Sequence, residues 1–165
     1  MPAPPSSPTL LDAYDLHILA DYHQIHVSDT AYDGDPGGLW TDDAVANMLA
    51  IETGIVVIGT VSDMDVKVRV EMHKAKPQIE GDWDQIAECF IECPSRIIRI
   101  MGCTDYEPDA FTVSTPWETM CVRILWGALA SVDMDAVEGD DHYMVQMWSG
   151  EPRDTTYSKR WRKPE

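Results

Sequence analysis

Carboxylates dominate the residues of this chain that could do chemistry. Asp29, Asp33, Asp35, Asp42 and Asp43 form an acidic stretch with no basic residue among them. Asp133, Asp135, Glu138, Asp140 and Asp141 form a second. For a carboxylate pair to do general acid–base work, one member must sit in an apolar pocket that raises its pKa. These acids instead lie among Gly and Asp residues that mark wet loops, so the expectation is surface charge. Such a surface can steer a positively charged partner and complement its site.

The other candidates are weaker. His17, His23 and His26 lie close together, and imidazole is a common zinc ligand. On a strand, however, His17 and His23 share a side that His26 does not. The preferred reading is polar, solvent-facing positions opposite Leu16, Ile18, Ile25 and Val27. Cys89 and Cys93, four residues apart, would point to one face of a strand about 13 Å from each other. They are expected as core thiols, and all four cysteines (with Cys103 and Cys121) as reduced. The chain has no GxSxG, Walker, HExxH, GxGxxG or EF-hand pattern. No catalytic residue, metal or cofactor is expected. A small-molecule or cation-binding β-sandwich without catalysis, using the histidines or a Trp-lined cleft, is the alternative reading.

The charge balance narrows the partners. Among 165 residues, 29 are acidic and 12 basic, a formal net charge of −17. That excludes nucleic-acid binding through a basic surface and argues against docking on anionic membranes. An apolar content of 44%, with six Trp and six Tyr, is too high for a disordered acidic chain. The excess is uneven: residues 1–66 hold 11 acids and no Lys or Arg. Residues 152–165 hold five basic residues and two acids, a net of +3 that leaves −20 for the rest. We therefore expect a single domain over 1–151, with 1–10 flexible, and an exposed basic tail over 152–165. No signal peptide and no run near roughly 18 apolar residues is visible, which points to a cytoplasmic protein.

The elements that must position these loops follow a period of two. Val66, Val68, Val70 and Met72 alternate with Lys67, Arg69 and Glu71, and the same alternation recurs over 86–93, 120–126 and 143–148. Ile55–Ile58 is apolar on both parities, as in a strand covered on both faces. From Leu16, Ile18, Ala20 and Tyr22 to Ile25 and Val27 the phase shifts, which a bulge near His23 would explain. One helix is expected over about 42–50, with Thr41 as N-cap, an apolar face of Ala44, Val45, Met48 and Leu49, and Gly54 ending the segment. Eight or nine short strands with one helix make an all-β, antiparallel sandwich. Trp40 and Trp117 fall in turns beside acids and are candidate interface anchors, whereas Trp161 is expected to contact nothing specific.

The ordered elements Tyr22-His23-Gln24, Val27, a Gly/Pro/Asp loop and Trp40-Thr41-Asp42-x-Ala44, followed by an apolar strand, resemble the competence protein J family over about residues 16–60. Its namesake inhibits the nuclease through which competent bacteria take up DNA. The resemblance implies an all-β inhibitor of a nuclease, or an immunity protein against a related toxin, with no catalytic motif to carry over. A nuclease site is basic and often holds a divalent cation. The expected contacts are therefore Asp29, Asp33, Asp35, Trp40, Asp42 and Asp43, then Asp133, Asp135, Asp140 and Asp141. Tyr22, Trp40 and Thr41 are expected chiefly to shape the first loop. The basic tail and the Cys-rich middle depart from the family pattern.

Overall fold

The alternating segments become two packed sheets in a computed structural model, which describes residues 8–162. The strands are β1 (Leu10–Leu19), β2 (Gln24–Asp29), β3 (Leu49–Glu52), β4 (Ile55–Gly59), β5 (Asp65–His73), β6 (Gln85–Glu92), β7 (Ile97–Gly102), β8 (Phe111–Ser114), β9 (Thr119–Gly127), β10 (His142–Ser149) and β11 (Thr156–Lys159). The helix α1 spans Asp42–Asn47. A six-stranded sheet runs β1-β5-β10-β9-β6-β11 and a five-stranded sheet β3-β4-β2-β7-β8. The all-β sandwich expected from the alternation is present, with eleven strands among the described residues rather than eight or nine. The four-residue strands β3, β8 and β11 are too short to show a period. One pairing departs from the antiparallel expectation: β10 runs parallel to β5, with His142 beside Lys67 and Met147 beside Met72.

The core lies between the sheets. Val66, Val68, Val70, Met72, Val122, Ile124 and Val145 from one sheet meet Ile25, Val27, Val56, Ile58, Ile98 and Ile100 from the other. Trp126 on β9 is wholly buried and donates its indole N–H to the Gly59 carbonyl on β4 at 2.9 Å, a direct bond between the two sheets. Cys89 and Cys93 are buried in this core, and burial first of all pushes the Cys89 thiol up to about 12. All described cysteines are free.

Three local expectations change. The phase shift near His23 is a change of sheet, not a bulge: β1 belongs to the six-stranded sheet and β2 to the five-stranded one. The turn between them holds Tyr22 and His23 at φ 56° and 60°, a left-handed region that non-glycine residues seldom adopt. The helix starts as expected, with the Thr41 hydroxyl accepting the Ala44 N–H at 3.2 Å, but it ends earlier. Met48 takes a left-handed conformation, and Leu49 and Ala50 already belong to β3. Gly54, at φ 85°, serves the β3–β4 turn instead. Val45, expected on the buried face, is 62% exposed.

The segment expected as an exposed basic tail adds β11 to the edge of the six-stranded sheet, pairing with β6. Arg153 meets Glu88 at 3.2 Å, Arg160 stacks over Tyr157 at 4.0 Å, and the Trp161 N–H donates to Gln85. Trp161 packs against the main core, as does Trp117. Of the residues expected to be flexible, 1–7 lie outside those described, and Leu10 already starts β1.

The Trp126–Gly59 bond yields a stability prediction. Trp126→Phe leaves a buried carbonyl without its donor and a gap in the core, and should cost about 2–4 kcal/mol by urea unfolding. A loss below about 0.5 kcal/mol would show that the two sheets do not depend on this bond.

Candidate partner-binding surface

The connection from Asp29 to Asn47 lies over the outer face of the five-stranded sheet. Tyr32, Leu39, Trp40 and Ala44 from this connection pack with Ala50, Ile55 and Val57 in a second apolar cluster. This is why β4 is buried on both faces, as its unbroken apolar sequence implies. With its apolar side chains turned in, the loop turns its acids out. Asp33, Asp35, Asp42 and Asp43 are all exposed, and among the described residues none has a Lys or Arg within ion-pair distance.

The loop has its own internal supports. The Asp35 carboxylate accepts the Gly37 N–H at 3.1 Å, fixing the turn that leads to Trp40. The Tyr32 hydroxyl donates to Glu52 at 2.7 Å. Burial, then Glu52, Asp35 and Asp33, push this phenol up to about 12, so it stays neutral and holds its donor role. Gly34 makes room for that ring, since a Cβ there would lie 2.6 Å from the phenol oxygen. Asp42 and Asp43 occupy the first turn of α1, where the helix dipole favours negative charge.

Asp29 behaves differently. It is 3% exposed and accepts bonds from the Ser95 hydroxyl, the Cys93 thiol at 3.6 Å and the Ala31 N–H at 3.3 Å. Burial, with the Asp29 charge second, pushes the Cys93 thiol up to about 11. Asp29 is thus a staple between β2 and the β6–β7 turn. It forms the lining of a depression of about 360 Å³ together with Asp33, Glu52 and Glu92. Glu52 and Glu92 are exposed and were not singled out from the sequence. Each ends a strand just before a turn, and the strands lie in different sheets, so only the fold brings them to Asp33.

The second acidic segment shows the same division. Asp133, Asp135 and Asp140 are exposed in the β9–β10 connection. The Asp133 carboxylate accepts the Asp135 and Ala136 N–H groups at 2.9 and 3.3 Å, closing a local turn. Asp141 is 3% exposed and accepts from the Ser62 N–H at 3.1 Å, the Tyr143 hydroxyl at 2.6 Å and the Ser62 hydroxyl. Burial, then Asp141, raises the Tyr143 phenol well above its ordinary value. No hydrogen bond or ion pair joins this loop to the 29–47 connection among the described residues.

The residues Tyr22-His23-Gln24 and Trp40 meet in space. With Val45, Met48, Gly59 and Thr60 they line a notch of about 250 Å³. The Gln24 side-chain oxygen Oε1 accepts from the Trp40 indole at 3.4 Å and from the His26 ring at 2.8 Å, and burial lowers the His26 pKa. Tyr22, expected chiefly to shape the loop, is 70% exposed on the rim. The three N-terminal histidines are not gathered: His17 lies on one sheet, His26 on the other and His23 in the turn between. Among the described residues, no group of three or more His, Cys, Asp or Glu side chains is placed to hold a metal ion. None of the described helices is long and apolar enough to cross a membrane.

No family model and no curated protein matches the sequence. The structure does match known ones. It superposes on the crystal structure of ComJ from Bacillus subtilis, described as an inhibitor of the DNA-degrading activity of NucA, with a TM-score of 0.64. The match covers 86% of this chain and 97% of that one, at 14% identity. The chain has the ComJ fold. A protein described as crocagin biosynthetic gene J shares it, with a TM-score of 0.58 over 85% of this chain and 98% of that one, at 16% identity. At these identities the likeness is one of fold, and it spans the sandwich well beyond the N-terminal elements that carry the sequence resemblance. Within the ComJ fold of this chain, the long β2–α1 connection is what carries the acids.

The carboxylates of this surface separate by stability. Asp29→Ala should cost about 2–3 kcal/mol in urea unfolding, because the Ser95 hydroxyl loses its buried acceptor. Asp33→Ala should change stability by no more than about 0.5 kcal/mol. Equal costs for the two would contradict the assignment of Asp29 as a staple and Asp33 as free surface.

Proposed function

We propose that this chain is a nuclease inhibitor or immunity protein that acts by stoichiometric binding, without turnover. It presents carboxylate-rich loops to the basic, metal-containing DNA site of its partner. The observation that carries this reading is the set of exposed carboxylates Asp33, Asp35, Asp42 and Asp43, without an ion pair among the described residues, on a loop supported by the sheet of a ComJ-like fold. Asp133, Asp135 and Asp140 form a second, separate acidic contact.

The physics of the target favours such a surface. A nuclease holds a polyanion with cationic side chains and often a divalent metal, and carboxylates on a rigid loop can take the places of phosphates there. The net charge of −17 accelerates encounter and makes it salt-sensitive. The ComJ structure is that of an inhibitor of a DNA-degrading activity, which supports the same class of partner here. Asp29 and Asp141 hold the loops from within and take no part in the contact. The notch between Tyr22, Trp40, Val45 and Met48 borders α1 and can seat an apolar side chain of the partner, giving the contact an uncharged anchor.

The test is inhibition of a nuclease encoded beside this gene, followed by DNA cleavage. One equivalent of the protein should abolish cleavage. The combined Asp33→Asn, Asp35→Asn, Asp42→Asn and Asp43→Asn protein should keep its fold and inhibit at least about tenfold more weakly. Unchanged inhibition by that variant would overturn the acidic-loop mechanism.

A further inference from the structure

The outer face of the six-stranded sheet carries three nitrogen-bearing side chains in one row. His17 on β1 is the cross-strand neighbour of Lys67 on β5, and Lys67 is the neighbour of His142 on β10. Neighbouring strands lie about 4.8 Å apart, so the three side chains leave the sheet one strand after another. Val66 and Val68, on either side of Lys67, are buried in the core, so Lys67 and its row point outward.

Lys67 and His17 are exposed, and no protein group among the described residues holds them. Among the described residues, neither the Lys67 ammonium nor the His17 ring has a hydrogen bond or ion pair. His142 uses only Nδ1, 3.2 Å from the Asp140 carbonyl, and leaves Nε2 without a partner. The next position in the row is Gly127 on β9, and a Cβ there would lie 2.5 Å from His142 Nε2. The glycine is what lets the imidazole lie where it does.

An aromatic wall closes one side. Trp83 packs its ring on His142, with centroids 5.3 Å apart and planes at 59°. Its indole N–H is occupied by the Glu80 carbonyl at 2.7 Å, so what it offers to the groove is ring. The groove so formed has a volume of about 430 Å³, within the range of small-molecule sites. Its other cation is already paired: Arg69 is held by Asp15 at 3.1 Å and by Glu71 at 2.7 Å. Lys67 is therefore the groove's cation without a carboxylate among the described residues, in a chain with 29 acids.

We propose that this groove binds a small planar monocarboxylate. The carboxylate accepts hydrogen bonds from the Lys67 ammonium and from a ring N–H of His17, and the ligand's ring lies against Trp83. Charge-assisted bonds of this kind are the strong ones, and an aromatic face gives the planar group its place. Asp15 on the same groove, within a net charge of −17, disfavours ligands with more than one negative charge. The site lies on the sheet opposite the one that supports the acidic loop, and it stands independently of the nuclease reading.

The test is a titration of the full chain with 2-naphthoate, followed by amide and indole resonances in nitrogen–proton NMR spectra. Saturating shifts are expected at the His17, Lys67 and His142 amides and at the Trp83 indole. Lys67→Met and Trp83→Ala should each weaken binding about tenfold while leaving resonances far from the groove in place. The uncharged 2-naphthylmethanol and inorganic phosphate should each bind at least about tenfold more weakly than 2-naphthoate. No saturation at millimolar ligand, shifts centred elsewhere, undiminished binding by Lys67→Met, or phosphate binding as tightly as 2-naphthoate would each overturn the proposal.

Discussion

The indole of Trp126, buried between the sheets and bonded to the Gly59 carbonyl, marks the constraint from which the remaining features follow. The interior of the sandwich is filled chiefly by Val, Ile, Met and Trp, and an unpaired carboxylate placed there would cost several kcal/mol. A chain with 29 acids and 12 bases must therefore drive its charge to the outer faces, the rim and the loops. The apolar side chains of those loops, such as Leu39 and Trp40, then decide which sheet face the loop lies on and so where the charge is displayed.

Three carboxylates among the described residues are buried, and they show what burial requires: Glu88 on β6 is held by Arg123, Lys76 and Arg153, and the other two belong to the acidic loops. Asp29 is surrounded by the Ser95 hydroxyl, the Cys93 thiol and a backbone N–H. Asp141 is surrounded by two groups of Ser62 and by the Tyr143 hydroxyl. Each ties a long loop to a turn distant in sequence, and each frees its neighbours for the surface. The division of labour within one acidic stretch is thus between acids that hold and acids that face outward.

The sheets were legible in the sequence because burial on one face imposes a period of two, as over Asp65–His73, and burial on both faces removes it, as over Ile55–Gly59. The N-cap at Thr41 was legible for an equally local reason. What was hidden depends on partners remote in the chain. The phase shift at His23 does not say whether the strand bulges or changes sheet. The tail from Pro152 is largely exposed, but its pairing with β6 was hidden because its bonds are made to Glu88 and Gln85, far back in the chain. Similarly, Asp29 and Asp33 look alike in sequence, and only Ser95 and Cys93 distinguish them. Glu52 and Glu92 join Asp33 solely through the stacking of two sheets.

The sandwich in this way offers two outer faces with different characters. One is covered by an acidic loop on a fold shared with an inhibitor of a DNA-degrading enzyme. The other is open beside β1, β5 and β10 and carries a row of nitrogen side chains. For the first, the proposed role is that the loop takes the place of DNA on a nuclease. The most direct measurement is displacement of this protein from its nuclease by duplex DNA under conditions that prevent cleavage. Mutually exclusive binding, with the apparent Kd rising linearly with DNA concentration, is the predicted result. A ternary complex, in which nuclease holds DNA and this protein together with undiminished affinity, would contradict the account.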